Sequence, residues 1–358
     1  MYAFLGDVHL GVKLNNEDFA KSLDMFLGLI KSHKEECNGI FVAGDLFDHK
    51  LSVKEMKFAS YFIANLACNY CGRNGKTHVP VYFVHGTYTH DQEQYTIYLP
   101  MLEKMDNVEV FYIENACEFT LFDGRKVLFL PQEYGDVNYD KFFGDGKMYD
   151  MIIGHGPIAS NTKNPCKSAR YEIVHSAELL GEHSKLCVFG HYHGYTDFGN
   201  GVYYTGPWLQ WKYGEDEENV FFFCDNAFTV ETVVNPYAMK FHTVDISDVE
   251  TLREYLSQDI TEPYRFCIES KTCDMETYRG IINSNTNGLI KFQVNEIVDE
   301  DDLQLTVDEC VTYNQSETAT QPVPALISYI KDKYGVDTTD QLCQYENMIN
   351  KEKKEEVS

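Results

Sequence analysis

The stretch Tyr2-Ala3-Phe4-Leu5-Gly6-Asp7-Val8-His9 sets four apolar residues against a glycine, then places a carboxylate and an imidazole directly behind it. A short apolar run of this kind reads as a buried strand, and the glycine lets the backbone leave it sharply. The same pattern returns four times. Ile40 to Ala43 leads to Gly44-Asp45-Leu46-Phe47-Asp48, and Val81 to Val84 leads to Gly86-Thr87-Tyr88-Thr89-His90-Asp91. Met151 to Ile153 leads to Gly154-His155-Gly156, and Leu186 to Phe189 leads to Gly190-His191-Tyr192-His193. Five strand ends thus deliver Asp or His.

Open α/β sheets bind ligands beyond the carboxyl ends of their strands. Carboxylates can bridge two cations and neutral imidazole suits Mn, Fe, Zn or Ni, so the residue chemistry points to metal-assisted hydrolysis at a two-ion site. A single Gly-Asp is ordinarily a turn, and a single histidine ordinarily a satisfied structural one. His33, His49, His78, His85, His175, His183 and His242 are read in that structural way; recurrence at ordered strand ends separates the others from them.

The order GDxH, GDxxD, G…HD, GHG and GHxH resembles the calcineurin-like metallophosphoesterase family. Gly6-Asp7-Val8-His9-Leu10-Gly11, Gly44-Asp45-Leu46-Phe47-Asp48 and Tyr204-Thr205-Gly206-Pro207-Trp208 are similar to its SbcD-type nuclease branch, phage-encoded members included. Protein phosphatases of that superfamily carry Asp-Arg-Gly where this chain has Asp48-His49-Lys50, which moves phosphoproteins down the order of substrates. The resemblance implies a four-layer α/β/β/α sandwich. It also implies that Asp7, His9, Asp45 and His193 hold one divalent ion, with Asp45 bridging, and that His155 and His191 complete the second. His90 takes the place of the general acid beside the leaving oxygen. The ions implied are manganese first, with magnesium, iron or zinc as alternatives, and the step is in-line attack by an activated water on a DNA phosphodiester.

The third segment departs from the family. Where an Asn normally offers its amide oxygen to the second ion, Thr89 precedes His90. Thr89 or Asp91 substitutes, or the second ion binds more weakly, or the site serves another phosphoester, or catalysis is lost; the presence of every other ligand and of His90 favours a working site.

Of 358 residues, 44% are hydrophobic and 14% aromatic, enough for one large domain and a smaller one with a substantial core. No basic and apolar leader precedes Tyr2, and no run reaches the roughly 18 apolar residues of a membrane span; a soluble cytoplasmic protein is expected, in the host cytoplasm if phage-encoded. Eleven cysteines are scattered and read as reduced. Cys68-Asn69-Tyr70-Cys71 lacks a second pair for zinc, and Gly72 to Thr77 mimics the end of a P-loop but leads into a strand, so it reads as a loop. A formal charge of −26 fits poorly with a DNA enzyme. Glu215-Asp216-Glu217-Glu218 and Asp299-Glu300-Asp301-Asp302 read as solvated acidic surface, leaving DNA affinity to the ions, local cationic spots or a partner.

Helices are expected around Phe19 to Ile30 and Val53 to Ala67, and later strands cluster at Lys126 to Leu130, Val202 to Thr205, Val220 to Phe223 and Phe228 to Val233. These place a nuclease domain at 1–236. A restart after Asn235-Pro236 predicts an α/β unit at 237–320, which the resemblance makes a DNA-contacting cap. Residues 321–358 hold an apolar helix pattern from Leu326 to Tyr334 and a charged tail; by resemblance they dock on an SbcC-type coiled-coil ATPase, while a homodimer stays open. Two other readings remain: a small-substrate phosphodiesterase or phosphomonoesterase, and a catalytically silent acidic homologue that binds other proteins.

Overall fold

The computed structural model describes residues 1–297 except 13–15, 73–76, 93, 103, 105–107, 135–138, 140, 145, 164–171, 216–217 and 272–274. The docking segment expected at 321–358 and the acidic run at 299–302 lie outside the described residues.

The chain is mixed α/β. Its strands are β1 (Tyr2–Leu5), β2 (Ile40–Ala43), β3 (Val81–Val84), β4 (Val110–Ile113), β5 (Cys117–Thr120), β6 (Lys126–Leu130), β7 (Tyr149–His155), β8 (Ile158–Ala159), β9 (His175–Ser176), β10 (Ser184–Gly190), β11 (Thr196–Gly199), β12 (Val202–Tyr204), β13 (Val220–Cys224), β14 (Val230–Val234), β15 (His242–Ile246), β16 (Tyr264–Lys271) and β17 (Ile290–Ile297). The helices are α1 (Asn16–Ser32), α2 (Val53–Ala67), α3 (Tyr88–Asp91), α4 (Tyr95–Leu102), α5 (Ala177–Glu182), α6 (Val249–Leu256) and α7 (Met275–Ser284).

One six-stranded sheet runs β14-β13-β1-β2-β3-β4 and a second runs β11-β12-β10-β7-β6-β5. In the first, β1 to β4 pair in parallel; in the second, β6, β7, β10 and β12 do. Parallel strands buried on both faces need unbroken apolar runs, and alternate residues divide between two cores. Ala3, Leu5, Ile40 and Val42 pack with Phe19, Leu23 and Phe26 of α1 and Phe62 and Leu66 of α2. Tyr2, Phe4, Phe41 and Tyr82 pack instead with Val127, Phe129, Met151 and Val188 of the second sheet. The far side of that sheet, at Leu128, Ile152 and Cys187, covers Ala177 and Leu180 of α5. α2 begins with a capping box, in which Ser52 and Glu55 satisfy each other's backbone amides.

Strands β15, β16 and β17 form a smaller sheet. The described residues divide into two compact units: those in 1–244 with 258–266 and 288–291, and those in 245–257, 267–287 and 292–297. Among the described residues no helix is long and apolar enough to cross a membrane.

Candidate metal centre

All five glycine-ended segments leave the C-terminal ends of parallel strands, β1, β2 and β3 in one sheet and β7 and β10 in the other. The turns that aim their side chains inward are tight. Asp7, His9 and Asp45 have φ near +50° and His191 has φ 109°, a region in which non-glycine residues are uncommon and which clusters at functional sites. Gly44 has φ +77°, and a Cβ there would collide with the His155 ring; a Cβ on Gly86 would strike the backbone and carboxylate of Asp45.

Among the described residues three groups of donor atoms result, each within 4.8 Å: Asp7, His9 and His193; Asp7, Asp45 and His155; and His9, Asp48 and His90. Asp7 is the carboxylate common to the first two, and Asp45, which the resemblance makes the bridging ligand, lies in the second. His191 stands outside these groups, with its ring edge-on to His155 at 5.3 Å between centroids and its backbone amide donating to Asp7 Oδ1 at 2.8 Å. None of the seven histidines read as structural joins a group: His85 bonds Tyr112 Oη, His175 packs on Phe189 and His183 meets the Lys147 carbonyl.

The ring orientations are set from behind. His155 Nδ1 donates to the Ala43 carbonyl at 2.8 Å, which leaves Nε2 facing Asp45 Oδ2 at 3.3 Å. His193 Nδ1 lies 2.7 Å from Glu215 Oε1, which leaves its Nε2 facing His9 Nε2 at 3.0 Å. His90 Nδ1 donates to the Asp48 carbonyl, and the Asp48 carboxylate lies between His9 and His49. A hydrogen bond on one ring nitrogen is what fixes a ligating histidine's tautomer and aim.

Thr89 is exposed and outside the cluster; the threonine that enters it is Thr87. The Thr87 amide donates to Asp45 Oδ1 at 2.5 Å, and its hydroxyl lies 3.1 Å from Asp45 Oδ2. Asp91, the other sequence candidate, is fully buried and accepts from the Phe47 and Gly86 amides at 3.1 and 2.8 Å, so it pins two of the ligand-bearing loops together. Burial and the nearby Asp45 carboxylate push Asp91 up to about 7.

Glu215, read from sequence as solvated surface, is buried. Beyond His193 it accepts from the Trp211 and Lys212 amides at 2.7 and 3.2 Å, and these partners, with His193, hold it ionised against the cost of burial. Its neighbours in an acidic run concealed that role; the one clue was its position shortly after Trp208.

The residues fit a pair of cations. Burial disfavours a charged His155, yet the Asp45 and Asp7 carboxylates hold the ring up at about 9, while burial and His155 press His191 down to about 3. Against its own burial, Asp45 is held far below the usual carboxylate range by His155. His9 Nδ1 is buried without a hydrogen bond, and two imidazole nitrogens face each other with at most one proton between them. Such a surplus of buried lone pairs calls for positive charge.

Residues 2–195 match the family model for calcineurin-like phosphoesterases, a span that contains all five segments. The chain belongs to the calcineurin-like phosphoesterase family. Membership carries metal-dependent phosphoester hydrolysis, and the phosphoesterase span ends two residues past His193, so Glu215 and Trp211 lie beyond it. No curated protein matches the chain.

Proposed function

We propose that this phosphoesterase is a DNA nuclease of the SbcD type, the hydrolytic subunit of a repair or recombination complex with an SbcC-type coiled-coil ATPase. The observation that carries the reading is the row of donor groups joined by Asp7 and His9, with His90 at one end, an arrangement suited to an in-line displacement on a phosphodiester. Asp7, His9 and His193 would hold one ion, and Asp7, Asp45 and His155 the other, with His191 beside it. Two such ions, when bound, would supply charge neutralisation for the reacting phosphoester and would lower the pKa of a water.

The protein's own groups do the rest. Asp7 and Asp45 concentrate negative charge where cations are wanted, and Glu215 and the Ala43 carbonyl aim the imidazoles. His90, with Nδ1 committed to Asp48, offers Nε2 to carry a proton to the leaving sugar oxygen.

Support for a polymeric substrate comes from the loop after β12. Trp211 Nε1 donates to the Asp7 carbonyl at 3.2 Å, and two residues later the Tyr213 ring carries Arg265 at 4.9 Å and Lys291 at 5.6 Å. Cations over an aromatic ring beside a phosphoester site suit a stacked, charged strand, and they give an otherwise acidic chain the local positive charge that DNA requires. The same reading takes the layers as α/β/β/α, residues 237–320 as a cap on the DNA and 321–358 as the ATPase-docking segment.

The test is cleavage of end-labelled single- and double-stranded DNA by the purified chain with Mn²⁺ or Mg²⁺, beside His90→Ala and a small chromogenic phosphodiester. DNA cleavage lost in the variant is expected. Hydrolysis of the small ester alone moves the function to small substrates, and no activity on either substrate favours a silent binding protein.

A further inference from the structure

A buried side-chain amide stands beside the centre at another point in the chain. Gln132, just past β6, is buried, and its Nε2 donates to Glu172 Oε1 at 2.9 Å. That carboxylate accepts only, so it fixes the amide with Oε1 turned towards the centre, 3.1 Å from the Thr87 hydroxyl. The same hydroxyl lies 3.1 Å from Asp45 Oδ2 and 3.4 Å from His155 Nε2, and the last two atoms are 3.3 Å apart.

Two oxygens, Gln132 Oε1 and Asp45 Oδ2, thus compete for the single proton of the Thr87 hydroxyl. His155 Nε2 completes the cluster; with Nδ1 committed to Ala43, it would offer its lone pair to a cation in place of its ion pair with Asp45. The spacings have another meaning. With metal–donor bonds of about 2.1 Å, neighbouring donors lie about 3.0 Å apart in an octahedron and about 3.4 Å apart in a tetrahedron. The separations in this cluster, 3.1 to 3.4 Å, lie within that range.

We infer that Gln132 Oε1 and the Thr87 hydroxyl, together with Asp45 and His155, are donors to the second ion, Gln132 supplying from a different strand the amide oxygen that the third segment lacks. The inference rests on the two-ion reading but not on DNA as substrate. With the Asp7 carboxylate, which shares the group of Asp45 and His155, oxygens outnumber imidazoles around this ion even with His191 beside it, a hard donor set that favours Mn²⁺ or Mg²⁺ over Zn²⁺ at this position.

The test uses Mn²⁺ alone with the full chain, read as stoichiometry and affinity by equilibrium dialysis and as the rise in melting temperature that Mn²⁺ gives. The wild type is expected to bind two ions. Gln132→Leu and Thr87→Val should each weaken one of the two by at least about tenfold and shrink the Mn²⁺-induced rise, whereas Thr87→Ser, which keeps the hydroxyl, should retain both. A purely structural Gln132 would lower the melting temperature with and without Mn²⁺ alike. Two ions bound at wild-type affinity by Gln132→Leu, or equal weakening by Thr87→Ser and Thr87→Val, would overturn the inference, as would a wild type that binds fewer than two. If Gln132→Leu does not fold, the Thr87 pair decides. A chain that binds both ions as expected yet leaves DNA uncut would sink the nuclease reading and not this one.

Discussion

Glu215 Oε1 sits 2.7 Å from His193 Nδ1, in a carboxylate that is itself held by two backbone amides. The pair aims His193 Nε2 at His9, so Glu215→Ala should lower Mn²⁺ affinity about 10- to 100-fold, and Glu215→Gln, which can still accept from the ring, should lose much less. Isothermal titration with Mn²⁺ reads the difference, and identical losses in the two variants would reduce Glu215 to a packing role.

His90 and Asp45 should part company under substitution. His90→Ala is expected to leave both ions bound while turnover falls about 10²- to 10⁴-fold; Asp45→Ala, which removes a buried carboxylate from the donor set, should lose metal as well as activity. Metal content by atomic absorption beside a rate assay checks this. Loss of an ion from His90→Ala would make His90 a ligand in the group with His9 and Asp48.

Gly44→Ala would place a methyl group against the His155 ring and force the φ +77° turn on a residue that resists it. The expected cost is at least about 2 kcal/mol, measured by chemical denaturation with a chelator present so that lost metal affinity is not counted. A variant as stable as the wild type would show that the loop shifts freely.

Stability should also fall in acid through a histidine outside the centre. Burial against Phe189 and Tyr139 presses His175 down to about 4 from an ordinary value of 6.5. The folded state therefore binds the proton less readily than the unfolded one. Its contribution is complete above about pH 6.5 and is lost as pH falls towards 4, on the order of 2–3 kcal/mol. His175→Phe should flatten that part of the profile in metal-free protein, and an unaltered slope would assign the acid sensitivity elsewhere.

The ligand-bearing strands were legible because each is an apolar run buried on both faces with a glycine close behind it: β1, β2 and β3 have the bounds expected, as does α2, while β7 and β10 each begin two residues before the apolar run that marked them. β5 and β11 carry exposed alternate residues at a sheet edge and offered no continuous apolar run. At the site, the Asp and His residues of the glycine turns could be read from type and spacing. Thr87 in place of Thr89 could not, although it follows Gly86 directly, since the choice depends on how Gly86 packs on Asp45. Glu215 and Gln132 reach the centre from chain positions 22 residues past His193 and 42 past His90, so only the folded loops reveal them.

Asp7, His9 and Asp45 leave one sheet, and His155 and His193 leave the other. A cation gripped by this set is therefore also a clasp across the seam between the two sheets. With the clasp undone, buried carboxylates are left at the mouth of that seam, and separation is favoured at the working end of the molecule before its helix-covered flanks. The metal centre then doubles as a fastening on which the protein's own durability depends, so a chain stripped of its ions should lose stability together with its reaction.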